Sequence, residues 1–256
     1  MGGQGLGAYW RPRELAAALD ILAGEGAQPI AGGTDIMPAR ANAAAWDGAA
    51  HGALLDLTDI AELRGISRQG EAWRIGACTS WATMRDAALP VGFRALQQAS
   101  RQVGGRQVQA RGTLGGNLCN ASPAADGVPP LLVLDAEVEI AGPAGLRRMR
   151  VAEFIRGNRR TALDARELLV AILVPAARAE AASVFLKLGA RSHLVISIAM
   201  VAADAEGRVA VGACSEVARM LDEGGLSPID DVRASAAYRH VAAGELVARA
   251  KALLAA

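Results

Sequence analysis

Two glycine-containing motifs, far apart in the chain, carry residue types that could bind an anion. The first is Ala31-Gly32-Gly33-Thr34-Asp35-Ile36 and the second is Gly112-Thr113-Leu114-Gly115-Gly116-Asn117. Glycine permits positive φ and close approach to a ligand, and successive bare backbone N–H groups can form an anion-binding concavity. Such an anion could be the pyrophosphate of a dinucleotide. A plain strand-to-helix turn and a glycine-rich hairpin are the alternatives that remain open for the two motifs.

The elements around the first motif are predicted from hydrophobic spacing. Apolar residues from Arg13 to Gly24 lie on one helical face and indicate an amphipathic helix. Pro29-Ile30-Ala31 indicates a short buried strand, after which the glycine pair turns the chain. Thr34 or Asp35 can cap a following helix. Further strands are predicted at 53–57 and 73–77, and further helices at 81–88 and 93–103, a mixture that favours an α+β arrangement.

The second motif lies in a stretch, residues 106–127, that has little periodicity and many turn-forming residues. It is therefore predicted to be a long polar loop, which inside a compact domain is usually functional. Downstream, strands are predicted at 137–141, 146–151, 167–175 and 183–188. The apolar run 194–203 fits either a helix or a strand, and 231–255 has roughly helical spacing. An Ala/Glu/Arg-rich linker at 176–182 indicates a domain boundary.

Composition excludes several classes of function. The chain has 256 residues, of which 52% are hydrophobic, so it can bury a full core. Its net charge is +1 with interspersed charges, and only 4% of residues are aromatic, so nucleic-acid binding is not expected. The N-terminus has no signal-peptide pattern, and no stretch reaches the roughly 18 apolar residues of a membrane span. We therefore expect a soluble, cytoplasmic protein.

The sequence offers no pattern for a metal site or for catalysis by side chains alone. Cys78, Cys119 and Cys214 form no C-x-x-C pair, so neither a zinc site nor an iron–sulfur cluster is expected on this chain. His51, His193 and His240 are isolated, and no nucleophile elbow or Cys/His signature occurs. We predict no metal ligands and no catalytic side chains.

The motifs together resemble a known family. Ala31 to Asp35, then Thr113 to Asn117 continuing to Ser122-Pro123-Ala124-Ala125-Asp126, and the late stretch from Asp231-Val232-Arg233 to Tyr238-Arg239 are similar to the FAD-binding medium subunit of molybdenum hydroxylases. This group includes xanthine dehydrogenases and carbon monoxide dehydrogenases. The resemblance runs from about Tyr9 to about Ala250 and is specific because both glycine motifs are present.

The resemblance implies an architecture and a division into domains. The fold would be the α+β FAD-binding fold of the vanillyl-alcohol-oxidase type, followed by a C-terminal domain of antiparallel sheet and helices. The FAD-binding domain would cover residues 1–176, with sub-domains of about 1–56 and 57–176, and the C-terminal domain residues 177–256. FAD would lie between the two sub-domains.

The resemblance also assigns residues to the cofactor. Backbone N–H groups from Ala31 to Ile36 would wrap the pyrophosphate, and Thr113, Gly116 and Asn117 would close on FAD from the other side. Asp126 would bind adenosine-side hydroxyls, Lys187 would lie near the isoalloxazine ring, and Cys119 would be a small contact. Leu169 and Val170 would pack on the ring. The alternatives are a turn for Asp126, solvent exposure for Lys187 and core packing for Cys119. For Leu169 and Val170 the alternative is an ordinary core strand.

By the same resemblance the chain would be an oxidoreductase subunit that passes electrons from a small [2Fe-2S] subunit to an external acceptor. A large subunit would carry the molybdopterin-type cofactor, in a dimer of heterotrimers. Two departures from the family stand out: Met220 to Leu226 connects two motifs unusually quickly, and Leu194 replaces an acidic residue that some NAD-reducing members carry. The rival hypotheses are a stand-alone flavin oxidase or dehydrogenase and a structural adaptor that has lost the cofactor.

Overall fold

The helices and strands are those of a computed structural model that describes residues 7–47, 52–222 and 225–256. Within these ranges the nine α-helices are α1 (Leu15–Glu25), α2 (Ile36–Asp47), α3 (Trp81–Asp86), α4 (Arg94–Gln102), α5 (Arg106–Arg111), α6 (Leu114–Asn120), α7 (Val128–Val133), α8 (Val151–Phe154) and α9 (Ala236–Ala255). The fourteen strands of the same ranges are β1 (Tyr9–Trp10), β2 (Gln28–Ile30), β3 (Leu54–Asp56), β4 (Ile66–Gln69), β5 (Ala72–Gly76), β6 (Glu137–Gly142), β7 (Gly145–Arg150), β8 (Ile155–Gly157), β9 (Arg160–Thr161), β10 (Leu168–Pro175), β11 (Ser183–Leu188), β12 (Ala199–Asp204), β13 (Val209–Gly212) and β14 (Arg219–Met220). The predictions for Met1 to Leu6 and for His51 lie outside the described residues.

The strands of the described residues form four sheets, and the smallest of them is inserted in the chain between two strands of the largest. A parallel sheet has the order β1-β3-β2, and an antiparallel sheet has the order β4-β5-β10-β6-β7. A second antiparallel sheet, β11-β12-β13-β14, carries α9 against it, and β8 and β9 form a small hairpin. Helices and largely antiparallel sheets are thus combined as the predicted α+β class requires, and that prediction is confirmed. The domain boundaries after residues 56 and 176 remain predictions.

Strand β10 is the central strand of the largest sheet and joins two hydrophobic cores. Its residues are apolar, and all except Pro175 are buried, as expected for a strand covered on both faces. Leu168 and Val170 pack with β3 and α1, whereas Leu169, Ile172 and Val174 pack with α4 and α7. A β-bulge between Leu169 and Ala171 shifts the alternation of side chains by one residue, so that Leu169 and Ile172 point to the same core.

The predicted polar loop at 106–127 is wrong, because α5 and α6 occupy most of it. The side chain of Thr113 caps α6 by accepting a hydrogen bond from the Gly116 N–H at 3.0 Å. The N–H groups of Leu114 and Gly115 donate to the carbonyls of Thr79 (3.0 Å) and Ala77 (2.9 Å). Tertiary hydrogen bonds and a good cap therefore stabilise a short helix whose glycines disfavour it. The hairpin alternative for this motif is wrong for the same reason.

The apolar run 194–203 is a strand only from Ala199 onward, and two arginines hold its irregular first half. Arg233 Nη1 donates to the carbonyl of Ser197 at 3.2 Å, and Arg239 Nη1 donates to the carbonyls of Ile198 and Ala213. The Arg239 side chain is fully buried, and both arginines pair with Asp231. This cluster, which we call the arginine clamp, fixes the chain where it enters β12.

The pH dependence of stability is expected to report on the clamp. Hydrogen bonds from Arg233, together with its charge, hold the pKa of Asp231 well below its ordinary value of 3.8. A carboxylate with a lowered pKa stabilises the folded state fully above its unfolded pKa, and the contribution falls below that pKa and is lost as pH falls through the folded pKa. Asp231→Asn should therefore destabilise the protein at pH 7, and the difference from the parent should shrink below about pH 4. Urea unfolding between pH 7 and pH 3 measures it.

The control is Asp20→Asn, because Asp20 is exposed on α1. Its difference from the parent should be small at every pH. A difference for Asp231→Asn that stays constant from pH 7 to pH 3 would contradict the role of the ion pair.

Candidate functional site

The first glycine motif is a tight turn between β2 and α2 that packs directly on the start of the second motif. Gly33 has φ +72°, in the left-handed region that favours glycine. A Cβ atom on Gly32 would lie 2.0 Å from the carbonyl oxygen of Arg111 and 2.8 Å from Cα of Gly112. The backbone approach is therefore one that only glycine permits, and it brings the two motifs together.

The turn leaves backbone donors free. The carbonyls of Gly33 and Asp35 accept hydrogen bonds from Met37 (3.0 Å) and Ala39 (3.2 Å) as α2 begins. Among the described residues we find no acceptor for the N–H groups of residues 32–35. Unpaired N–H groups at the beginning of a helix attract anions, because the helix dipole adds to their own partial charge.

Most N–H groups of the second motif are already paired, contrary to the prediction, and only that of Thr113 has no acceptor among the described residues. Leu114, Gly115 and Gly116 donate to protein acceptors, and the Asn117 N–H donates to the carbonyl of Thr113 at 3.0 Å. Thr113 is itself buried and used as the helix cap. Gly116 and the amide group of Asn117, whose Oδ1 accepts from Gly127 at 3.3 Å, are the parts of this motif that remain at the surface. The motif can therefore offer a surface to a ligand, but not an array of backbone donors.

A small cavity lies where the first motif meets the end of α6. Asn120 Nδ2 donates to Asp35 Oδ1 at 2.9 Å, and Asn120 Oδ1 accepts from Arg159. The cavity has a volume of about 330 Å³ and is lined by these residues together with Ile36 and Arg40. The sequence did not predict three of these residues, Asn120, Arg159 and Arg40, because nothing in it indicates that they converge.

Cys119 lies on the exposed face of α6, between Gly116 and Asn120. Its side chain is exposed, whereas the side chains of Cys78 and Cys214 are buried. Even so, surrounding protein removes enough water to raise the pKa of the Cys119 thiol to about 12, and nearby Cys78 adds to the effect. Asn120 on the same helix contacts Asp35 of the first motif, and we call the space between this face of α6 and the first motif the cleft.

Asp126 and Lys187, predicted at the two ends of the cofactor, are instead bound to each other. Lys187 Nζ lies 2.6 Å from Asp126 Oδ2, and both side chains are almost completely buried, at 5% and 7% exposure. Ser197 donates to the other oxygen of Asp126 at 2.6 Å, and Lys187 also donates to the carbonyl of Gln102 at 3.2 Å. Burial raises the pKa of Asp126, and the Lys187 charge and the two hydrogen bonds oppose that rise.

The contact between Asp126 and Lys187 bears on the cofactor contacts predicted for them. A contacting pair does not span an extended cofactor, and the assignment of each residue to FAD remains a prediction. The solvent-exposed alternative for Lys187 is wrong, because its side chain is buried. Asp126 does lie in a turn, which the Val128 N–H closes by donating to the Ala125 carbonyl at 3.1 Å, but its side chain is buried and not at the surface. Leu169 and Val170 have exposures of 4% and 1% and lie in the two cores, so protein packing already accounts for their burial.

Comparison with known proteins relates this geometry to a family. Residues 4–177 match the family described as the FAD binding domain in molybdopterin dehydrogenase. The chain belongs to this family. The resemblance recognised in the sequence is thereby confirmed, and the FAD-binding domain is carried by this chain.

Relatives and solved structures of the family extend the match. The chain is 32% identical over 197 residues to the nicotinate dehydrogenase FAD-subunit of Eubacterium barkeri, covering 74% of this chain and 65% of that protein. It is 34% identical over 170 residues to the carbon monoxide dehydrogenase medium chain of Afipia carboxidovorans, covering 65% and 58%. The matched part is thus less than two thirds of the length of these relatives. A crystal structure of Cu,Mo-CO dehydrogenase superposes with a TM-score of 0.87 at 26% identity, covering 97% of each chain.

No helix in the described ranges is long and apolar enough to cross a membrane. No group of three or more His, Cys, Asp or Glu side chains in those ranges is arranged to hold a metal ion.

Proposed function

We propose that this chain is the FAD-carrying electron-transfer subunit of a heterotrimeric molybdenum hydroxylase. It would take electrons from a small [2Fe-2S] subunit, beside a large subunit with the molybdopterin-type cofactor, and reduce an external acceptor. The observation that carries the proposal is the turn of residues 31–36, whose unpaired N–H groups lie beside the exposed face of α6. The names of the relatives, which are FAD or medium subunits of dehydrogenases, support the wider assembly.

The residues of the turn fit a pyrophosphate. Neutral amides can bind a diphosphate without a cationic side chain, and no Cβ from Gly32 intrudes where the backbone meets Arg111. Ala31 and Ile36 flank these donors and are partly buried, so they would border the ligand with apolar surface. Thr34 and Asp35 contribute their N–H groups, while the Asp35 carboxylate is held by Asn120 and is not needed as a ligand.

The floor of the cleft would contact the rest of the cofactor. Gly116 leaves space, Asn117 presents its amide nitrogen, and Cys119 presents a neutral thiol because its pKa is about 12. When bound, FAD would supply the redox chemistry. The chain's own residues bind and orient it, and Thr113 acts indirectly by capping the helix that carries this face.

The test combines flavin content with protection of Cys119. The full chain, stripped of flavin and titrated with FAD, should acquire a bound flavin absorption spectrum. Maleimide at pH 8 should modify Cys119 slowly in the flavin-free protein, because its high pKa leaves little thiolate, and more slowly still when FAD covers it. Mass spectrometry of tryptic peptides measures both rates.

Cys119→Ser is the control and should remove the labelled peptide, because Cys78 and Cys214 are buried. A chain that takes up no added FAD would refute the function. Equal labelling with and without saturating FAD would refute only the position of Cys119. Purification of the native complex with molybdenum and iron present tests the proposed partners.

A further inference from the structure

A second cavity, separate from the first motif, has a lining in which every charged residue is basic. It measures about 370 Å³ and lies between the end of α4 and the segment that follows β11. Arg101, Lys187 and Arg191 line it, together with His193 and the polar side chain of Gln102. No aspartate or glutamate is among the lining residues, so the cavity is suited to a negatively charged group.

The positive charge that remains available comes from the two arginines. Lys187 is already neutralised by Asp126 at 2.6 Å. Neither Arg101 nor Arg191 has a carboxylate of the described residues within the 4.0 Å of an ion pair. Arg191 Nε instead donates to the carbonyl of Leu194 at 3.1 Å, which orients the guanidinium without cancelling its charge.

The segment between β11 and β12, part of which lines the cavity, is held at its end by hydrogen bonds. Ser197 donates to Asp126, so the irregular segment before β12 is tied to the same carboxylate that fixes Lys187. The arginine clamp binds the carbonyls of Ser197 and Ile198 from the other side. The segment that carries Arg191 is therefore fixed at its end, and Arg101 projects from the helix α4, which lowers the cost of ordering the two arginines around a ligand.

We propose that this cavity binds the phosphate or pyrophosphate group of a ligand through Arg101 and Arg191. Guanidinium groups match the geometry of phosphate oxygens and can form paired, charge-assisted hydrogen bonds with them. The phosphate would belong to a separate phosphorylated molecule, because the one pyrophosphate of FAD is proposed to bind at the turn of residues 31–36, which does not line this cavity. This inference goes beyond the proposed function, because it rests on the charged residues of this cavity and not on the glycine turn.

The experiment uses inorganic pyrophosphate as the probe and isothermal titration calorimetry of the full chain, both flavin-free and FAD-loaded. Arg101→Gln and Arg191→Gln should each weaken the binding of pyrophosphate about tenfold, the loss expected for a charge-assisted hydrogen bond. Arg68→Gln is the matched control, because Arg68 is exposed on β4, outside the lining. The affinity of this control variant for pyrophosphate should equal that of the parent.

The FAD-loaded arm tests whether the cavity is independent of the FAD site. Binding of pyrophosphate that persists with FAD present and weakens in both variants supports a separate phosphorylated ligand. Binding that FAD displaces, with a weaker FAD affinity in both variants, overturns the proposal, because the two arginines would then belong to the FAD site. Equal affinity in the parent and both variants, or no pyrophosphate binding at all, overturns the proposal. Flavin content is read separately by absorbance, so a failure of FAD binding does not obscure the result.

Discussion

Replacing Gly32 by alanine should reduce FAD affinity by roughly 100-fold, the upper end of what overpacking by one methyl group costs. The added Cβ would lie 2.0 Å from the carbonyl oxygen and 2.5 Å from the carbonyl carbon of Arg111. These are backbone atoms that cannot rotate away, so the turn and the segment before α6 must separate. Titration with FAD, followed by flavin fluorescence, measures the loss, and the melting temperature should fall as well.

Gly24→Ala provides the matched control. Gly24 lies within α1, and a Cβ there would meet nothing within 4 Å. Alanine favours a helix over glycine by about 0.5–1 kcal/mol, so this variant should be as stable as the parent or slightly more so. It should also bind FAD normally. Parent-like FAD affinity in Gly32→Ala would show that the contact between the motifs does not shape the cofactor site.

Replacing Arg239 by leucine should destabilise the protein by about 3 kcal/mol or more, the range seen when one member of a buried ionic cluster is removed. The guanidinium is fully buried, and its loss would leave the carbonyls of Ile198 and Ala213 without their donor. Asp231 would keep only its pairing with Arg233. Urea unfolding at pH 7 gives the free energy of unfolding directly.

An exposed arginine on the same helix is the appropriate comparison. Arg249 on α9 pairs with Glu245 one turn away at 2.7 Å, and both side chains are more than half exposed. Surface pairs of this type contribute about 0.3–0.5 kcal/mol, so Arg249→Leu should have a small effect. If the two variants are equally stable, the arginine clamp is not what holds the start of β12.

The sequence predicts regular elements well where the hydrophobic pattern is long and uninterrupted. The apolar run of β10 and the helical spacing of α1 appear within one or two residues of their predicted bounds. The helices α5 and α6 were missed because each has only six or seven residues and α6 contains two glycines. Their stability comes from a threonine cap and from backbone partners distant in sequence, which a local pattern does not contain.

The candidate site shows the same limit. The resemblance located both glycine motifs, and the contact of Gly32 with Arg111 and Gly112 brings them together. The hydrogen bonding of the second motif could not be predicted, because the acceptors for Leu114 and Gly115 are Thr79 and Ala77. The pairing of Asp126 with Lys187 was equally hidden, since the two residues are 61 positions apart and each alone fits a different role.

The hydrogen bond between Asn120 and Asp35 spans 85 positions in the chain, and the contact of Gly32 with Arg111 is nearly as distant. Contacts of such long range form late in folding, because the entropy of closing a large loop is lost before they compensate for it. We therefore expect the cleft to be absent from the transition state for folding. A ligand that needs the finished cleft cannot accelerate folding, but it can slow unfolding by stabilising contacts absent from the transition state. Flavin loading should thus lengthen the lifetime of the native protein while leaving the refolding rate unchanged.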